Sequence, residues 1–290
     1  MKIEALTVCV NYSDFLVHVI KANKQYFDKW VIVTDTKDQK TKELCEEHGL
    51  ICVQTDVFYE GGAKFRKYAG INEGIKHLDK DGWVLFLDGD IILSQWTRRV
   101  LEKRDLDPKK IYGIDRLNCF GYERWLEYQK GTPILINNWL LHSAGLEWGA
   151  RIVHIYGEEG ENGLFTGWKP LGFFQLVHGS KVGNYPEGSE DASHGDLAFA
   201  KLWAPEDRVF IPEIIGIHIY NEHHKGINWR GRKSVLFDYS KTVSGLKRCW
   251  DNFLIWINSL CLPSYGPTCC LCKLCNKFKN TILWLANLLN

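Results

Sequence analysis

Residues 84 to 93 read VLFLDGDIIL: an apolar run, two aspartates separated by one glycine, and a return to apolar residues. A strand that buries Val84, Leu85, Phe86 and Leu87 and presents Asp88 and Asp90 at its end sets two hard oxygen ligands where a divalent cation bridged to phosphates could sit. The competing reading is a tight turn, since Asp-Gly is turn chemistry in its own right. Two further polar clusters lie downstream. GIHIYNEHHKGINWRGR (216–232) joins histidines to lysine and arginine, and YPEGSEDASHGDLAFAKLW (185–203) gathers Glu190, Asp191, His194 and Asp196. Asp196 opens the amphipathic segment DLAFAKLW and could be its helix cap.

Regular elements must bring these groups together. ALTVCVNY (5–12), WVIVTD (30–35), LICVQTD (50–56) and WVLFLDGD (83–90) are apolar, β-branched-rich runs that end in polar residues, the pattern of strands. Between them Asp14 to Gln25, Lys37 to His48 and Ala63 to Leu78 have helical spacing, the last with Phe65, Ala69, Ile75 and Leu78 on one side. This alternation predicts an α/β fold with a mainly parallel central sheet flanked by helices. Ligands in such sheets bind beyond the carboxyl ends of the strands, where Asn11, Asp35, Asp56, Asp88 and Asp90 all fall. Strand-like runs continue at 111–117, 151–157, 170–179 and 210–220, separated by Gly-rich and Trp-rich connections. The second half is therefore expected to extend the same sheet in mixed fashion, with loops long enough to bind something.

The gross numbers exclude little. A chain of 290 residues, 45% hydrophobic and 24% charged, has ordinary globular composition. A formal charge of +1 supplies no overall basic field, so a polyanion or membrane would have to be held by a local patch. The N-terminal MKIEALTVCVNYSDFL lacks the pattern of a signal peptide, which leads to an expected cytoplasmic location. No apolar stretch reaches the ~20 residues of a bilayer span. Cys9, Cys45, Cys52 and Cys119 read as small buried hydrophobes, whereas Cys249, Cys261, Cys269, Cys270, Cys272 and Cys275 crowd into the tail, with Cys272 and Cys275 at zinc-compatible spacing. That tail could pack on the domain, flank a metal knuckle, or touch a membrane peripherally, and packing is the preferred reading.

VCVNYSDFL, WVIVTD and KFRKYAGINEGIKHLDKDGWVLFLDGDIIL together resemble the first strand, second strand, nucleotide-facing helix and D-x-D strand of GT-A nucleotide-sugar glycosyltransferases of the broad family 2-like kind. The resemblance covers residues 4 to 95 and continues in pieces to about residue 235. It implies a Rossmann-like GT-A domain over 1–245, with a nucleotide-binding half (1–95), an acceptor-binding and metal-completing half (96–245), and a Cys-rich apolar tail (246–290). Three other classes fit less well. A haloacid-dehalogenase phosphatase would carry D-x-D-G-T/V where Ile91 follows Asp90, a dinucleotide oxidoreductase would carry G-x-G-x-x-G where this chain has NYSDFL, and a nucleotidyltransferase would carry a Gly-rich, Arg-containing loop there.

By this resemblance Asp88 and Asp90 hold Mn²⁺ or Mg²⁺ on the donor's diphosphate, and His218 completes the metal site, with His223 or His224 as alternatives. Lys225, Arg230 and Arg232 neutralise the phosphates, while Asn228 and Trp229 shape their loop. Asn11, Tyr12 and Asp35 contact base and ribose. Lys64, Arg66 and Asn72 could face the same crevice, although Lys64, Arg66 and Lys67 could equally be a solvated helix face. An acidic residue of 190–196 deprotonates the acceptor hydroxyl, Asp191 being favoured narrowly over Asp196, with His194 as a partner. Trp125, Trp139, Trp148, Trp168 and Trp203 could offer sugar-stacking surfaces or could be packing residues.

The expected activity is metal-dependent transfer of a hexosyl group from a nucleoside-diphosphate sugar to an acceptor hydroxyl, with inversion preferred and retention left open because nothing in the sequence fixes the geometry at the anomeric carbon. A catalytically silent nucleotide-sugar or glycan-binding domain is the alternative. Among acceptors, a glycan or lipid-linked molecule is preferred over a modified base of viral DNA, because the sequence has no dense basic run for nucleic acid.

Overall fold

The computed structural model describes residues 1–120, 169–186, 191–192 and 195–220, with short strands at 133–136, 139–142, 146–147, 158–159 and 165–166. The chain begins β1 (Ile3–Val8), α1 (Ser13–Asn23), β2 (Lys29–Asp35), α2 (Gln39–His48), β3 (Ile51–Thr55), α3 (Lys67–Ile75) and β4 (Trp83–Leu87). It continues with β5 (Ile91–Leu93), α4 (Thr97–Lys103), β6 (Ile111–Phe120), β7 (Pro133–Ile136), β8 (Trp139–His142), β9 (Leu146–Glu147), β10 (Glu158–Glu159), β11 (Phe165–Thr166), β12 (Phe174–His178), α5 (Gly195–Ala200) and β13 (Arg208–Tyr220).

The main sheet runs β3-β2-β1-β4-β12-β6-β13-β5, with β9 joined to β6. Its first four strands are parallel. β12 is antiparallel to β4 and β6, β13 is parallel to β6, and β5 is antiparallel to β13, so the expected mixed second half is present. β1, β2 and β4 are buried on both faces, whereas the edge strand β3 is partly exposed. Ala5, Trp30, Ile32, Leu85 and Leu87 pack with Phe15, Leu16 and Val19 of α1, while Leu6, Val31, Val33, Val84 and Phe86 pack with Tyr68, Ile71 and Ile75 of α3. Alternate residues thus serve opposite cores, which is why these strands read as continuous apolar runs.

Two elements differ from expectation. The helix expected over 63–78 is confined to Lys67–Ile75. Ahead of it Gly61 and Gly62 take positive φ of 66° and 80°, and Phe65 turns back to stack on Phe58 at 5.5 Å, so the chain cannot enter a helix until residue 67. The strand expected over 83–90 stops at Leu87, and a separate β5 begins at Ile91. The expected strand at 151–157 and the tail at 246–290 lie outside the described residues. Among the described residues no helix is long and apolar enough to cross a membrane.

The connection from β4 to β5 fixes the shape of the sheet. Four covalent steps from Leu87 to Ile91 reach at most ~15 Å. Four inter-strand gaps separate β4 from β5 along the sheet, which would be ~19 Å on a flat surface. The sheet must therefore curl, bringing β13 and β5 back over the end of β4. Asn23, fully buried at the end of α1, secures this edge by donating to Ile91 O at 2.7 Å and accepting from Leu93 N at 2.9 Å.

At the opposite end of the strands, buried Glu4 accepts from the amides of Asp79 and Lys80 at 3.0 and 2.7 Å. Lys29 and Lys2 hold Asp79 down at about 2, and Arg98 with the Ile3 amide depresses Asp28 against the effect of burial.

Two measurements check these supports. Asn23→Leu leaves a buried carbonyl and amide unpaired and is expected to lower unfolding free energy by about 2–4 kcal/mol in urea denaturation. Because Asp28 and Asp79 titrate lower folded than unfolded, their stabilisation is present above the ordinary carboxylate range and is lost as pH falls from about 4 toward 2. Denaturation midpoints at pH 5 and pH 3 should diverge, and Asp79→Asn should narrow the gap.

Candidate active site

The turn between β4 and β5 is built by the main chain before any side chain acts. Ile91 N donates to Asp88 O at 3.3 Å, Asp88 N donates to Phe173 O at 3.3 Å, and Ile219 N donates to Asp90 O at 2.9 Å. The last of these continues, one residue beyond β5, the β5–β13 ladder that pairs His218 with Ile91. His218 Nε2 consequently lies 3.3 Å from Asp90 Oδ2. The same oxygen accepts from the Tyr12 hydroxyl at 2.9 Å, and the Tyr12 ring stacks on Phe15 at 4.4 Å. Residues far apart in sequence thus converge on one carboxylate.

Asp90 is only 6% exposed, and its other oxygen, Oδ1, is buried with no hydrogen-bond partner among the described residues. Burial alone would raise its pKa, but His218, the Tyr12 hydroxyl and the charge of Arg116 outweigh burial and hold it at about 2. Burial pushes His218 below the ordinary imidazole value, against the pull of Asp90, and the ring holds its Nε2 on Asp90. Asp88 is different. It is partly exposed, and its Oδ1 takes the Lys67 ammonium at 2.5 Å. Burial and the neighbouring Asp90 charge push its pKa up, while Lys67 pulls it down. Asp90 with its orphaned buried oxygen, Asp88 and His218 are donor types that suit Mn²⁺ or Mg²⁺, but their ligand atoms do not all lie within 4.8 Å of one another; among the described residues Glu4, Asp79 and Asp81 do.

The remaining candidates occupy two neighbouring groups. Asn11 adopts φ +53° and donates its amide to Asp38 Oδ2 at 2.6 Å, while Asp35 accepts from Lys37 N at 2.9 Å. Asp38 also accepts from Thr34 Oγ1 at 2.9 Å and, as the cap of α2, from Thr41 N at 3.2 Å. It ties the ends of β1 and β2 together, and the sequence reading missed it. Lys64 is exposed, and Arg66 pairs with Glu60 at 2.9 Å. Asn72 is directed at the Tyr185 main chain, donating to its carbonyl at 3.0 Å and accepting from its amide at 2.6 Å.

The second group surrounds Asp196 in the first turn of α5. Its Oδ2 accepts from Gly172 N at 2.9 Å and its Oδ1 from Leu197 N at 2.8 Å, so both oxygens serve the main chain. Asp191 is partly exposed four residues before α5. Tyr68 holds this segment from α3, donating to Ala192 O at 2.7 Å and stacking on Tyr185 at 5.3 Å. Gln175, fully buried, donates to Pro170 O at 2.8 Å and Asp196 O at 3.0 Å. Trp203 packs against Phe199 in the core. His194, Lys225, Asn228, Trp229, Arg230 and Arg232 lie outside the described residues.

Two basic residues join the site without having been singled out for it. Lys67 caps Asp88 instead of facing solvent, its pKa held above the ordinary lysine range by Asp88 and Asp196 despite burial. Arg116 on β6 lies over the Phe173 ring at 4.7 Å. Neither has a local signature, because each is defined by what the curled sheet places beside it. Glu4, Asp79 and Asp81 form another acidic cluster, whose charges are met by Lys2 and Lys29.

The close packing under α5 can be checked directly. A Cβ on Gly195 would lie 2.3 Å from the Tyr68 ring, so Gly195→Ala is expected to cost about 1–3 kcal/mol in thermal or urea unfolding, by forcing Tyr68 or α5 to shift.

Comparison with known proteins supplies the family. The glycosyl transferase family 2 model matches residues 5–157, more than half of the chain. None of the curated proteins compared with the chain matches it in sequence. Among solved structures, a mycobacterial protein is similar with TM-score 0.49 and 12% identity, over 77% of this chain and 68% of that one. The glucosyl-3-phosphoglycerate synthase of Mycobacterium tuberculosis, in complex with Mn²⁺, UDP and glucosyl-3-phosphoglycerate, aligns with TM-score 0.31 and 14% identity over 40% of this chain and 44% of that one. The mannosyl-3-phosphoglycerate synthase of Rubrobacter xylanophilus gives TM-score 0.33 and 14% identity over 40% of each chain. The aligned region is thus less than half of either synthase. On the match to its family model, the chain belongs to glycosyl transferase family 2.

Proposed function

We propose that the protein is a divalent-metal-dependent glycosyltransferase that moves a sugar from a nucleoside-diphosphate sugar to an acceptor hydroxyl with inversion. The observation that carries this reading is Asp90: in a family 2 chain, at the carboxyl end of the sheet, one oxygen is engaged by Tyr12 and His218 while the other is buried and unpartnered. Leaving such an oxygen unpaired is costly, and a cation shared with Asp88 and His218 would remove that cost. When bound, Mn²⁺ or Mg²⁺ supplies charge that stabilises the departing nucleoside diphosphate.

The other roles follow from position. Asn11 and Asp35, at the adjoining ends of β1 and β2, would contact base and ribose. Lys225, Arg230 and Arg232 would neutralise the diphosphate, with Asn228 and Trp229 shaping their loop. Asp191 is assigned as the base that removes the acceptor proton, because Asp196 already spends both oxygens on main-chain amides and serves better as the anchor of α5. The acceptor is assigned to the glycan or lipid-linked class.

The test is release of nucleoside diphosphate from a panel of sugar nucleotides, with and without Mn²⁺, beginning with UDP-glucose. Release is expected to require the metal and to fall at least about a hundredfold in Asp90→Ala. Neither release nor binding of any donor would sink the proposal, and binding without release even with glycan acceptors would favour a silent sugar-nucleotide-binding domain. Once an acceptor is found, Asp191→Asn is expected to lower kcat by about 10²–10⁴, with Asp196→Asn acting mainly on stability. The reverse ranking would move the base to Asp196. NMR of the anomeric centre decides inversion.

A further inference from the structure

The two carboxylates are prepared unequally for a cation. Asp90 is held by hydrogen-bond partners on Oδ2 and open at Oδ1. Asp88, in contrast, already has a cation of the protein's own, the Lys67 ammonium at 2.5 Å from Oδ1. Lys67 is the first residue of α3, and its side chain is 19% exposed, so its charge is only weakly screened by water. The backbone beneath it is fixed. The next residue, Tyr68, is hydrogen-bonded to Ala192 O, stacked on Tyr185 and covered by Gly195. The ammonium can therefore leave Asp88 by side-chain rotation while α3 stays in place.

We propose, resting on the metal-dependent reading above, that Lys67 is an internal counter-cation: it competes with the divalent ion for Asp88 and, when displaced, turns to the diphosphate of the donor, so that metal and donor bind cooperatively. The physical reasoning is charge accounting. A divalent ion shared by Asp88 and Asp90 takes up the charge of both, leaving Lys67 only the weaker pull of Asp196, and the displaced ammonium would face the ion across a short distance, which opposes binding of metal alone. A diphosphate on the ion restores an anionic partner within reach of the same side chain. Lys67 thus penalises the metal-only state and rewards the metal-donor state. Linkage makes the effect reciprocal, because the metal must tighten nucleotide binding by the factor through which the nucleotide tightens metal binding.

The experiment measures free Mn²⁺ by electron paramagnetic resonance during titration of the whole protein, alone and with saturating UDP, GDP or ADP in turn. Wild type, Lys67→Met and Lys67→Arg are compared, with circular dichroism and melting curves to verify folding. Lys67→Met is expected to bind Mn²⁺ alone about tenfold more tightly than wild type, and to lose most of the enhancement by nucleotide. Lys67→Arg, which keeps the charge, should retain wild-type behaviour in direction. Mn²⁺ should also raise the melting temperature of Lys67→Met more than that of wild type, a readout independent of turnover. Equal or weaker Mn²⁺ affinity in folded Lys67→Met, or undiminished nucleotide enhancement, would overturn the role of Lys67 while leaving the metal site standing. Absence of Mn²⁺ binding in wild type and variants alike would overturn both.

Discussion

The short link between β4 and β5 is the constraint on which the site depends. Asp88, Gly89 and Asp90 must join two strands that stand four places apart in the sheet, and only a curled sheet allows it. The curl closes β13 against β5, and the ladder between them carries His218 to Asp90. Asn23 then braces the edge from α1, so a helix near the start of the chain supports the geometry of a histidine near residue 220. A strand edge bound on one side to β13 and on the other to a buried amide has little freedom to slip, and register is what fixes the distance from imidazole to carboxylate.

The electrostatics of the site follow from this packing. Two aspartates separated by one glycine would titrate alike in an open turn. Here the fold separates them: Asp90 is driven down by His218, Tyr12 and Arg116, whereas Asp88 is raised by burial and by Asp90 itself. One oxygen of Asp90 is left without a partner and one oxygen of Asp88 is given an ammonium. Family 2 membership supplies the chemical class, and these contacts show how this chain poises its carboxylates within that class.

Behind the carboxylates, a column of rings connects the two halves of the sheet. Tyr68 stacks on Tyr185, Tyr185 stacks on Phe199 at 4.2 Å, and Phe86 meets Tyr185 and Phe199 edge-on at 5.3 Å. Gln175 is fastened to α5 through Asp196 O and receives the Tyr185 hydroxyl. Such a fully satisfied buried polar group specifies one arrangement among the many that apolar rings alone would allow. The segment that carries Asp191 and Asp196 is thereby referenced to α3, the helix that also carries Lys67.

What the sequence determined by itself was whatever short-range periodicity encodes. Strand-helix alternation over the first 95 residues gave the parallel half of the sheet, since two-sided burial writes β1, β2 and β4 as predominantly apolar runs. D-G-D at the end of such a run, and a histidine leaving a later apolar run, drew attention to Asp88, Asp90 and His218 before any geometry was available. Only tertiary structure decided which groups meet. That Lys67 faces Asp88 instead of water, that Arg116 joins the Asp90 environment, that Asn72 grips Tyr185, and that Asp38 ties the first two strand ends are consequences of distance between residues remote in sequence. Local pattern records whether a residue prefers burial or exposure, but the partner of a charge is chosen by the curl of the sheet, which no window of neighbouring residues contains.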